Sequence, residues 1–187
     1  MFYLPTFMGM LVQFFADYIK HRLTAKSRHG THSPFVYKLV DEVIYDFSAK
    51  KVYEDLEKQR KKLLNDDEAS LSPRLVQLIY LLAHNHPLQP AKIIIAQEIE
   101  RNDRLDFVYI NGDRTKETML NYFYACLPKV HESTLLIFKD SYRNKRLKEA
   151  WKEIKAHPQV TVTIDLFWIG LVYFKKDQVK EHFKIKF

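Results

Sequence analysis

Near residue 90 the spacing of apolar residues changes from helical to strand-like, and no other feature of this 187-residue chain constrains its fold as much. Before that point apolar residues recur at intervals of three and four. After it they fall in short runs: Ile93 to Ile95, Leu105 to Ile110, Thr134 to Phe138, Val160 to Leu166 and Ile169 to Phe174. Helical stretches Lys116 to Leu127 and Arg143 to Ala156 separate the middle three runs, an alternation that predicts βαβ units and a parallel sheet. The last two runs lie too close for a crossover and predict an antiparallel hairpin. The expected class is α/β, with about five strands, the central ones parallel and the last antiparallel, behind an N-terminal helical extension.

The first half reads as helices. Phe7 to Arg22 carries a broad apolar face (Met10, Leu11, Phe14, Phe15, Tyr18, Ile19) that could dock on the domain, on a second copy or on a membrane surface. Ser33-Pro34 is a helix start, because the hydroxyl accepts an orphan amide bond and proline needs no amide partner there. Apolar residues from Phe35 to Phe47 follow at helical spacing, and a third helix spans about Lys51 to Leu64. Ser72-Pro73 repeats the start signal, and Pro87 and Pro90 close the helix it opens. The expected division is an extension over residues 1–70 and an α/β domain over 71–187.

Composition narrows the function classes. A hydrophobic fraction of 47% excludes wholesale disorder. The single cysteine, Cys126, lies in an apolar pattern and reads as a small buried hydrophobe, so neither a disulfide framework nor a cysteine zinc site is available. Gln13 and Asp17 interrupt the apolar N-terminal run, which matches neither a signal peptide nor a spanning helix, and a cytoplasmic location is expected. A net charge of +7 and a pI near 9.3 suit an anionic partner: nucleic acid, a membrane surface or an acidic metabolite. Lysines interleaved with acids in Tyr53 to Lys62 and Lys148 to Lys155 read as solvated faces. The densest excess is Arg143, Lys145, Arg146 and Lys148, with lysines 175, 176, 180, 184 and 186 beyond it, and no nucleic-acid recognition motif accompanies them.

The order of elements from Leu105 onward resembles the C-terminal half of class I AdoMet-dependent methyltransferases, a Rossmann-like fold. Leu105-Asp106-Phe107-Val108-Tyr109-Ile110-Asn111-Gly112-Asp113-Arg114 resembles a strand and loop of the O-methyltransferase-like group, and Thr134 to Asp140 resembles the next strand. Arg28 to Phe35 and Val160 to Val172 are similar to a Bacteroidetes-type bacterial subgroup of these proteins. The resemblance implies an acidic, glycine-containing loop after the first strand that cradles AdoMet, and a further strand ending in an acid that holds the ribose. Here the only glycines are Gly9, Gly30, Gly112 and Gly170, and none follows Ile93 to Ile95. Nine residues, Ala96 to Arg104, stand where the cofactor loop and two strands are implied. Ile93 to Ile95 therefore either runs parallel through a cramped two-turn helix or folds back as a hairpin. Metal-dependent relatives hold magnesium or calcium with acids at the strand ends. Asn111 and Lys139 replace two of those acids here, so no metal site is expected.

The remaining pocket candidates are Asn111, Asp113, Arg114 and Asp140, with Gly112 the nearest cofactor-binding candidate, because ligands bind at the carboxyl ends of parallel strands. Arg28, His29 and His32 form a possible loop site that reads more simply as the approach to a helix cap, and His84 and His86 are the only other clustered histidines. Trp151 and Trp168 read as core. No nucleophile elbow or Walker loop is present. The expectation is a truncated, methyltransferase-like pseudoenzyme, without cofactor, that serves as a binding or assembly module, as a homodimer or with a protein partner, and without specific nucleic-acid binding. The alternative is an AdoMet-dependent small-molecule O-methyltransferase with a rebuilt or inter-subunit site. An anion-binding role through Arg143, Lys145 and Arg146 ranks below both.

Overall fold

The computed structural model describes residues 7–27, 30, 32–63, 71–88, 93–111 and 115–187, which form two compact units: residues 1–30 with 92–187, and residues 31–91. The second unit is helical. Helix α2 (Pro34–Leu39) continues into a π-helical turn over Val40–Ile44, followed by α3 (Val52–Leu63) and α4 (Pro73–His84). The Ser33 and Ser72 hydroxyls accept from the amides of Val36 and Leu75, as the Ser-Pro pairs predict. The π turn has a visible partner: the Arg74 guanidinium donates to the carbonyls of Ile44 (2.8 Å) and Asp46 (3.0 Å), which the helix end leaves without intrahelical bonds.

The first unit carries a sheet of six strands, in the order β1-β2-β3-β5-β4-β6. These are β1 (Ile93–Ile95), β2 (Phe107–Ile110), β3 (Leu135–Lys139), β4 (Val162–Asp165), β5 (Ile169–Tyr173) and β6 (Glu181–Lys184). β1, β2 and β3 are mutually parallel, β5 runs antiparallel between β3 and β4, and β6 pairs parallel with β4. Helices α5 (Lys116–Cys126) and α6 (Lys145–Ala156) supply the crossovers. The connection after β1 resolves into the cramped alternative: a 3-10 helix over Ala96–Arg101 returns the chain to run parallel. It packs inward, with Ala96 and Ile99 buried and Lys129 Nζ donating to the carbonyl of Ile99.

Six strands stand against about five expected. β6 is an edge strand whose sequence, Glu-His-Phe-Lys, has one apolar residue, so it carries little hydrophobic pattern; edge strands are kept charged for this reason. It is extended by Lys26, whose amide donates to the carbonyl of Lys184, while the Lys186 amide donates to Lys26. That pairing anchors the end of α1 (Phe7–Thr24) beside the sheet.

The core lies between the sheet and α5 with α6. Val108, Ile110, Leu136, Phe138 and Val172 meet Met119, Phe123, Cys126, Trp151 and Ile154, all buried. Gly170 sits opposite Phe138 on one side and Asp165 on the other, and a Cβ there would fall 2.4 Å from the Trp151 ring. Only glycine leaves room for that indole against the strand.

Candidate functional site

Strand β4 ends in a carboxylate. Asp165 closes a fully buried strand and is 3% exposed, so its charge must be matched within the protein. Four donors converge on it. The Tyr142 hydroxyl (2.5 Å) and Trp151 Nε1 (3.3 Å) reach Oδ2; the Phe167 amide (3.0 Å) reaches Oδ1, and His21 Nε2 lies 3.2 Å from the same oxygen. Burial pushes the Asp165 carboxyl up, but the hydrogen bonds of His21 and Tyr142 outweigh it and hold the group below the usual carboxylate range. Tyr142 is raised, first by burial and then by the Asp165 charge.

The turn that follows is built around this acid. Phe167 has φ of 70°, uncommon for a bulky residue, and is held there by its amide bond to Asp165 and by stacking on Tyr142 at 5.0 Å. Trp168, expected in the core, is 38% exposed. It follows Phe167 in the turn and packs on Phe14 and Tyr18 of α1 and on the Phe167 ring.

Beside Asp165, helices α1 and α6 and strand β6 line an open cavity of about 500 Å³. Gln13, Asp17, Lys20 and His21 enter from α1; Lys145, Lys148, Glu149, Lys152 and Lys155 from α6; and Lys184 from the end of β6. Each helix contributes residues three and four apart, hence one face. Asp17 pairs with Lys148 and accepts from Gln13, which ties α1 to α6. Lys155 lies over the Trp151 ring at 5.7 Å, and burial lowers its pKa. His21 Nδ1 is buried without a hydrogen-bond partner among the described residues. The cavity thus gathers six lysines against two carboxylates at the carboxyl ends of β4 and β6, where α/β sheets take their ligands. Such a lining attracts an anion and offers it ammonium donors.

The residues expected to form a pocket are not the ones that form this one. Gly112, Asp113 and Arg114, like Arg28 and His29, lie outside the described residues. Asn111 follows β2 directly and is half-buried, and His32 is exposed in the helical unit. Asp140, at φ 59°, pairs with Arg143 at 3.3 Å, and Lys139 Nζ stands 4.0 Å away. Among the described residues no three histidine, cysteine or acidic side chains could share a metal ion. Of the basic cluster, Lys145 and Lys148 line the cavity, whereas Arg143 serves Asp140. Lys148 to Lys155 read from sequence as a solvated face, and Lys152 is exposed; with Lys145, Lys148 and Lys155 it also lines the cavity. Their spacing of three, four and three was the available signal. His21, Tyr142 and Asp165 were missed; a lone acid inside a strand pattern was the clue to the last.

No family model, curated protein or solved structure matches the chain.

Proposed function

We propose that the chain is a shortened methyltransferase-like α/β domain that holds no AdoMet and acts as a binding module for a small anion. The observation that carries the reading is the lysine-lined cavity over buried Asp165. The antiparallel β5 inserted between β3 and β4 supports the methyltransferase-like part. What supports the absence of a methyl donor is the path after β1. The chain turns at once into a 3-10 helix that contains no glycine and whose Ala96 and Ile99 pack into the core. In the cavity, the ammonium groups bind and orient the anion, while the Asp17–Lys148 pair and the Asp165 network hold α1, α6 and β4 in place around it.

Thermal melts and calorimetric titration test this with pyrophosphate as the anion, against AdoMet and S-adenosylhomocysteine. Pyrophosphate is expected to raise the midpoint; a ligand at a hundredfold excess over its Kd adds about 2.7 kcal/mol. AdoMet and its product are expected to leave the midpoint unchanged. Saturable AdoMet binding, with none for pyrophosphate, would restore the O-methyltransferase reading.

A further inference from the structure

The outward face of α1 is apolar. Met8, Val12, Phe15, Ile19 and Leu23 recur every three or four residues and are 57–80% exposed. Their helix is not amphipathic in the ordinary sense, because its other side is also occupied: Phe14 and Tyr18 pack on Phe167, and His21 reaches Asp165. An exposed apolar stripe of this length marks an interaction surface. It does not cross a membrane, since among the described residues no helix is long and apolar enough to do so. The cavity beside it carries an excess of positive charge, six lysines against Asp17 and Glu149. Lys20 projects from α1 itself into the cavity that Lys145, Lys152, Lys155 and Lys184 also line. Half-exposed Trp168 completes the surface beside Phe14 and Tyr18, a position suited to the boundary between headgroups and acyl chains.

We propose that α1 docks this protein on an anionic membrane surface, the apolar stripe entering the acyl boundary while the cavity lysines hold a lipid phosphate headgroup. The inference rests on the anion-binding reading of the cavity and adds the source of the anion. An apolar stripe alone would fit a second copy of the helix equally well. Charge complementarity favours the lipid: a copy of the same chain would bring the same lysines toward its partner, whereas an anionic leaflet neutralises them.

The experiment is co-flotation of the whole chain with vesicles of phosphatidylcholine alone and of phosphatidylcholine with phosphatidylglycerol, with Trp168 emission read alongside. Binding is expected only to the anionic vesicles, weakening with salt, with a blue shift and quenching by brominated acyl chains. Phe15→Glu places a charge on an exposed position that packing does not need, and is expected to weaken vesicle binding roughly tenfold or more while leaving pyrophosphate binding intact. The double variant Lys20→Glu, Lys152→Glu is expected to lose both. A chain that binds pyrophosphate but no anionic vesicle overturns the docking and leaves the cavity reading standing. Vesicle binding unchanged by either variant overturns it as well. A dimer in light scattering that Phe15→Glu converts to monomer assigns the stripe to a second copy and does the same. Loss of both ligands in the wild-type chain sinks both readings.

Discussion

Asp165 ties α1, α6 and the turn after β4 to the end of one strand. It terminates β4, fixes the unusual backbone of Phe167 and draws His21, Tyr142 and Trp151 to one point. Asp165→Asn keeps the size but removes the charge and turns one acceptor oxygen into a donor facing existing donors. The expected cost is about 2 kcal/mol, read by denaturant unfolding. Tyr142→Phe removes one donor and is expected to cost about 1 kcal/mol, because the other three remain on the carboxylate. The acid itself was visible in the sequence as an interruption of Val160 to Phe167, but its partners lie on three other segments, and no spacing rule connects residue 21 to residue 165.

Among the elements, the caps and crossovers were the most legible and the charged faces the least. Ser33 and Ser72 are followed by proline and then by apolar residues at helical spacing, a purely local signal, and both cap as expected. Ser72→Ala is expected to destabilise its helix by about 1 kcal/mol, measured by thermal unfolding. Strand β6 escaped notice because an edge strand does not need an apolar face; what places it is backbone pairing with β4 and Lys26. Gly170 illustrates the same limit. Its role is set by the Trp151 ring lying across it from α6, and Gly170→Ala is expected to cost about 2 kcal/mol through overpacking. Because the displaced indole leaves Asp165, the emission of Trp151 is expected to shift in that variant even where the fold survives.

For the molecule as a whole, stability is expected to fall with acid in two stages. His157 and His182 are both lowered, first by burial and then by lysine charge, so each gives up its proton more readily in the folded state than a free imidazole does. A group lowered on folding stabilises the protein above its unfolded pKa. That contribution is lost as pH falls below the ordinary histidine value of about 6.5. Asp165 follows the same sign further down: its contribution is complete above the ordinary carboxylate range and disappears as pH drops through its own lowered value. Thermal midpoints measured from neutral pH downward are expected to show both declines, and Asp165→Asn is expected to flatten the second. The cavity adds a salt dependence, since the six lysines that line it repel one another least when counterions or a bound anion are present.

The order of helices and strands, their caps, the parallel crossovers and the terminal hairpin follow from information held within a dozen or so neighbouring residues, where period and turn chemistry act. The cavity does not. Its walls come from residues 13–21, 142–155 and 184, and lysines that repel one another along a helix become a binding surface only once α1 and β6 are brought beside α6. Convergence of distant charges is a property of tertiary packing, because Coulombic neighbours are set by distance in space, which the chain's linear order leaves open until the sheet closes.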